Sequence, residues 1–278
     1  MGIFYGLLTA FGFGTADFFV TRTARRVGTL RSLYLIQIFG LAALLLIALI
    51  RGEEPPPRSL AWLIILVLSV IDFGGMFLLY RSFTIGSLAI CSPIAASYAV
   101  VTGILALATG ERPPDLVLVG ATVLVIGVAI VAGGAGNMNG VTLAGVPEAL
   151  GAALILGFFY WGVDSVVDDL GWLWPVAVNR AVMLVCAAVI LLGRGEASPR
   201  PELGAGLPLF AAALLDTLGA VSLNLGLERS FTTTTAALGS LYSAVAVVLA
   251  WLVLRERLSR PQWAGIAIIL TGILLVSL

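Results

Sequence analysis

The segment "LYSAVAVVLAWLVLRERLSRPQWAGIAIILTGILLV", Leu241 to Val276, decides the architecture of the chain. Two apolar runs flank one charged hairpin, Arg255-Glu256-Arg257-Leu258-Ser259-Arg260. Crossing the hydrocarbon core of a bilayer takes about 20 apolar residues, and both runs approach that length. The charges between them belong at the membrane surface, where they fix both helix ends against slippage. A second unit of this kind, "SYAVVTGILALATGERPPDLVLVGATVLVIGVAIV", runs from Ser97 to Val131.

Composition extends the reading to all 278 residues, of which 60% are apolar and only 11% charged. Ordinary globular chains carry about 25% charged residues, so this chain has too few to cover a water-facing surface. All 15 basic residues are arginine, and there is no histidine. That removes the usual metal ligand and the usual general base near neutral pH. Histidine-dependent hydrolysis and histidine metal sites are excluded, and no metal or cofactor is expected. No GxxxxGK[ST] loop is present, so ATP is not the energy source. Cys91 and Cys186 both lie inside apolar runs and are read as packing residues. The first apolar run starts at Gly2 without a basic stretch before it, so it is expected to stay as a membrane segment.

Ten spans are expected, at about 2–21, 32–50, 60–80, 88–109, 115–133, 146–167, 172–192, 207–227, 234–254 and 261–278. The connections are short and rich in Pro, Gly or Arg, and leave no room for a soluble domain. The runs are continuous, unlike the ten-residue alternation of membrane β-strands. The fold class is therefore all-α and integral to the membrane.

The two halves repeat. "TADFF" around Asp17 falls over "GVDSV" around Asp164, and Gln37 falls over Arg180. "RSFT" at 81–84 recurs unchanged at 229–232. "GER" at 110–112 falls over "RER" at 255–257, and Gly120 and Gly127 fall over Gly265 and Gly272. Five spans per half is odd, so the second half starts from the opposite face. The expectation is two inverted repeats, 1–133 and 146–278, joined by a linker at 134–145.

These landmarks carry a resemblance. Glu111 and Glu256 follow the fourth span of each half, and Gln262, Gly265 and Gly272 follow Glu256. In this the chain resembles the drug/metabolite transporter superfamily, in its ten-helix form built from two EamA-type repeats. Arg180 matches an arginine common in the second helix of such repeats, where Gln37 stands in the first half. The family often places proline about 13 residues before the glutamate; here Tyr98 and Ser243 occupy those positions, and Pro93 comes earlier.

Polar groups inside the membrane mark function by default, because each costs about 2.5–3.5 kcal/mol to insert. Asp72, Arg180 and Asp216 fall near the middle of spans three, seven and eight, with Gln37 and Asn224 adding uncharged polarity. Arg180 is either a structural partner of Asp216 or Asp72, or an anchor for a substrate carboxylate or phosphate. The two aspartates are equally candidates to carry a coupled proton. Asp17 and Asp164, about one turn from their span ends, are either alternating gates or end caps. Phe13, Phe18 and Phe19 on span one and Phe158, Phe159, Tyr160 and Trp161 on span six are aromatic-rich, with Tyr98 and Tyr242 on spans four and nine. A flat or cationic substrate could stack there; packing against lipid or protein is the alternative. A central cavity is expected between spans one, three, four, six, eight and nine, with spans five and ten at the periphery.

The arginines oppose the resemblance on orientation. Odd-numbered loops carry ten and even-numbered loops four, which places the termini outside. The resemblance implies termini inside. In function it implies a secondary transporter of a small metabolite, an exporter or exchanger of amino acids or related compounds, in the inner or plasma membrane. Expected partners are that substrate, membrane lipid and a coupled proton as a candidate, with no nucleic acid; the chain is a monomer or homodimer. The alternatives are a lipid-linked-sugar flippase of the same fold and an integral-membrane lipid enzyme.

Overall fold

The computed structural model describes residues 2–110, 144–195, 206–228, 238–256 and 259–277, with Thr235 and scattered positions between 115 and 130. Ten α-helices run through them: α1 (Gly2–Val27), α2 (Thr29–Arg51), α3 (Leu60–Ile85), α4 (Leu88–Ala95), α5 (Tyr98–Ala108), α6 (Val146–Leu170), α7 (Trp174–Gly193), α8 (Gly206–Leu227), α9 (Tyr242–Leu249) and α10 (Arg260–Ser277). A wider π-helical turn, Ala250–Leu254, continues α9. No strand occurs among the described residues. Among the described residues six spans are long and apolar enough to cross a membrane: α2, α3, α6, α7, α8, and α4 with α5 taken together as Leu88–Ala108.

The ten expected spans need amending. Span four is two helices. Pro93 sits inside α4 and has no N–H to give the preceding turn. The chain then tightens: Ser97 N–H reaches Ile94 O at 3.1 Å and Val100 N–H reaches Ser97 O at 3.0 Å before α5 resumes. Span nine has a matching step just before Tyr242, where Leu241 N–H reaches Leu238 O at 3.2 Å. With α4 and α5 counted as one interrupted span, nine rods stand among the described residues. The described positions of span five are helical; the rest of that span, the linker at 134–143, Glu111 and the second "RSFT" lie outside the described residues.

The exterior is apolar, and an otherwise apolar interior holds a set of buried polar groups. Leu45, Leu46, Leu49, Ile50, Leu63, Val67, Val185, Val189 and Leu192 are exposed, while Asp17, Gln37, Asp72, Asn179, Arg180 and Asp216 are buried. An apolar exterior suits hydrocarbon, and the polar groups gather where they can satisfy one another.

Helix packing follows a regular scheme. α1 lies along α8 and α3 along α6; α1 also meets α9, and α6 meets α5; α2 packs on α7 and α8, and α3 on α7. Two close approaches fix this arrangement. A Cβ at Gly157 would stand 2.8 Å from Tyr98 O and also strike the Val101 side chain, and a Cβ at Gly14 would strike Tyr242 O and Val245. Only glycine lets the backbones of α6 and α5, and of α1 and α9, come so near. Thr102 Oγ1 uses the approach to donate to Gly157 O at 3.0 Å.

One end of the molecule is recognisable by its aromatics. Trp62 and Trp174 meet edge to face, Trp174 donates to Glu54 O at 3.1 Å, and Arg51 lies over the Trp172 ring. The opposite end gathers the end of α1, the end of α3 and the starts of α4 and α6. There Arg81 pairs with Glu148 at 3.3 Å and Arg25 donates to Phe83 O and Gly86 O at 3.1 and 2.8 Å.

Candidate functional site

A central cavity lies between α1, α3, α6, α7 and α8 and the breaks that begin α5 and α9. It encloses about 740 Å3 of empty space, the part open to the outside included. Its wall combines aromatics (Phe13, Tyr98, Phe159, Tyr160, Tyr242) with Asp17, Asp72, Asn179, Arg180, Asp216 and Asn224. Pro175, Val176 and Asn224 extend the lining toward the tryptophan-rich end.

Arg180 is the hub of the polar wall. Its Nη1 lies 2.6 Å from Asp216 Oδ2 and donates to Gln37 Oε1 at 2.9 Å. Gln37 turns its own Nε2 to the Met183 sulfur at 3.3 Å. Of the two partners open in the sequence, Asp216 is the ion pair. Asp72 instead accepts from Asn179 Nδ2 at 2.9 Å. Asp17 Oδ2 and Asp72 Oδ1 are buried with no hydrogen-bond partner among the described residues, and so are Arg180 Nε and Tyr242 Oη. The charged lining is thus three carboxylates against one guanidinium, and that guanidinium is already paired. Uncompensated charge away from water is costly, so each unpaired carboxyl group calls for a proton or a positively charged partner.

The aromatics form one connected group. Tyr98 and Tyr242 stack with ring centroids 6.3 Å apart and planes 16° apart. Tyr160 leans on Tyr98 at 4.9 Å, and Phe13 meets Tyr242 edge-on at 6.4 Å. The breaks before Tyr98 and Tyr242 turn both rings inward from spans otherwise lined with small and aliphatic residues.

Nine of the twelve sequence candidates line this cavity: Phe13, Asp17, Asp72, Tyr98, Tyr160, Arg180, Asp216, Asn224 and Tyr242. Three do not. Gln37 stands behind Arg180 and orients it. Trp161 faces the other way, packs on Phe158 and donates to Thr109 Oγ1 at 3.3 Å. Asp164 is half-buried and outside the lining.

Asp17 and Asp164 do not share the lining: Asp17 belongs to it and Asp164 does not. Gly14 and Gly157 each make a close helix approach, and Asp17 and Tyr160, three residues after them, both line the cavity. Asp17 is also not near a helix end, because α1 runs on to Val27; end-capping is not its role. α7 enters the lining although span seven was not among the expected walls. Asn179 was missed. A polar side chain beside Arg180 in an apolar run was the signal that could have found it.

The charged hairpin of the opening segment has a further task. Glu256 lies over the start of α4, accepting from Ser87 Oγ at 2.7 Å, Ala89 N–H at 3.0 Å and Leu88 N–H at 3.4 Å. Arg25, at the end of α1, reaches the same carboxylate at 3.1 Å. A carboxylate at a helix N-terminus satisfies free N–H groups and meets the positive end of the helix dipole. This clasp ties α1, α4 and the α9–α10 hairpin together at the end opposite the tryptophans.

The model of the EamA-like transporter family matches the chain twice, at residues 1–133 and 143–278. A search of curated protein sequences gives no match. A solved crystal structure, described only as that of a protein, superposes with a TM-score of 0.73 at 17% identity, covering 99% of this chain and 96% of its own. That likeness shows the fold.

Proposed function

From a chain that belongs to the EamA-like transporter family, and is therefore a multi-pass membrane transporter, we propose a secondary carrier that moves a small metabolite through the central cavity by alternating access. The cargo is an amino acid or a related compound, exported or exchanged. Ten spans in two inverted repeats, about 1–133 and 146–278 with a linker between, are part of the proposal.

The observation that carries it is the symmetry of the contacts around the cavity. Exchanging the halves turns the α1–α8 pair into α6–α3, and the α1–α9 pair into α6–α5. It turns the Gly14–Tyr242 approach into Gly157–Tyr98. Tyr98 and Tyr242 touch their own counterparts, as do Gln37 and Arg180. Contacts between equivalent residues belong on a two-fold axis, and this axis passes through the cavity. The end of α1 and the start of α6 also lie together, which supports opposite orientation of the halves. Such a molecule has two related conformations, one closed at each end. The Glu256 clasp holds one end closed here, while the lining extends toward the other.

The test is counterflow in sealed proteoliposomes. Vesicles preloaded with unlabelled amino acids and amines are offered the labelled compounds. A carrier shows saturable uptake driven by the internal pool. Scrambling of a lipid-linked sugar without counterflow of any small molecule would refute the proposal in favour of a flippase.

A further inference from the structure

We infer that the cavity selects an aromatic or similarly flat organic cation, gripped by its ammonium group at Asp17 and Asp72, and has no receptor for a substrate carboxylate. This rests on the carrier reading and narrows its cargo from amino acids and related compounds to amines without a carboxylate. The argument begins with charge. Asp17, Asp72 and Asp216 face one Arg180, and Asp216 lies 2.6 Å from that guanidinium. Two carboxylates are left over. Each has one buried oxygen without a partner, Oδ2 of Asp17 and Oδ1 of Asp72, and the residues are only 6% and 3% exposed. An ammonium group brings several N–H donors and a positive charge, which is what both oxygens lack.

Arg180, the one cation among the described wall residues, is already engaged. Arg180 Nη1 serves Asp216 and Gln37. Its Nε has no hydrogen-bond partner among the described residues but lies against α2, where a Cβ on Gly40 would stand 3.3 Å away. A substrate carboxylate would compete with Asp216 for the guanidinium and would lie beside the carboxyl groups of Asp17 and Asp72. Zwitterions are therefore penalised relative to simple amines.

The aromatic wall supplies the second half of the recognition. Phe13 precedes Asp17 by one turn of α1 and presents to the same side. It meets Tyr242, which stacks on Tyr98. A ring bound there has aromatic partners, and the ammonium gains from the negative faces of the tyrosines.

The experiment uses three probes of matched size: phenethylamine, a cation; phenylalanine, a zwitterion; and 3-phenylpropanoate, an anion. Binding is measured on the full-length protein in lipid nanodiscs. Phenethylamine should bind at least about tenfold more tightly than phenylalanine, as expected for one charged hydrogen-bonded contact, and 3-phenylpropanoate should not bind. Asp17→Asn should lose about tenfold or more of phenethylamine affinity, while Asp17→Glu retains most of it. Asp72→Asn gives a second, independent loss if the first variant does not fold. Equal or tighter phenylalanine binding, or full affinity in folded Asp17→Asn and Asp72→Asn, would overturn the inference. Failure of phenethylamine to bind would also overturn it. Counterflow separates this outcome from the carrier reading. Phenylalanine counterflow without phenethylamine binding overturns the cargo class and leaves the carrier standing. Phenethylamine binding without counterflow upholds the site and refutes the carrier.

Discussion

Replacing Glu256 with alanine removes the acceptor shared by the end of α1 and the start of α4. The ion pair contributes little, because the Arg25 side chain is 35% exposed; screened pairs of that kind give about 0.5 kcal/mol. The bonds from Ser87 Oγ at 2.7 Å and Ala89 N–H at 3.0 Å are stronger, since they end on a carboxylate only 14% exposed. Charge-assisted bonds contribute about 1.5 kcal/mol each at the low end. The clasp is then worth about 3 kcal/mol, roughly two decades in a population ratio. If it exists only while this end is closed, its loss shifts the protein toward the state open at this end. Cys91 is the reporter. It is buried in α4 beside the clasp, its sulfur against Gly86 and Gly145. In a Cys186→Ser background, a membrane-impermeant maleimide should label Cys91 far faster in Glu256→Ala than in the parent, with Glu256→Gln in between. A lowered melting temperature with Cys91 still unlabelled would refute the reasoning and leave Glu256 a static helix cap.

Arg180→Ala should destabilise the folded protein by about 3–5 kcal/mol, because it strands buried Asp216; adding Asp216→Asn should restore part of the melting temperature in detergent. Gly157→Val should separate α5 from α6 and abolish transport, and Gly157→Ala should cost about 1–3 kcal/mol of overpacking, read in the same melting assay. Trp161→Phe and Asp164→Asn should leave substrate affinity within about twofold of the parent, since neither residue lines the cavity; a loss near tenfold in either would move the site.

The membrane class, the helical content and most of the polar wall were legible in the sequence, because each follows from a local energy. A run of apolar residues needs hydrocarbon around it and must bond its backbone internally. A charge within such a run must turn inward, so Asp72, Arg180 and Asp216 announced an interior site before any helix was placed. What local energies cannot state is which interior charges meet. That depends on how closely helices approach and at what register, and here two glycines decide it. Gly14 and Gly157 let α1 and α6 seat against Tyr242 and Tyr98, and Asp17 and Tyr160 then line the cavity while Asp164 does not. The same packing brings α7 into the wall, gives Asp72 to Asn179 and Asp216 to Arg180, and turns Trp161 away. The charged segment beginning at Arg255 follows α9 with its π-helical turn and precedes α10. That its glutamate caps α4, 168 residues back in the chain at Leu88, could come only from the tertiary structure, because a carboxylate finds a helix N-terminus through space and leaves no spacing in the sequence to record it.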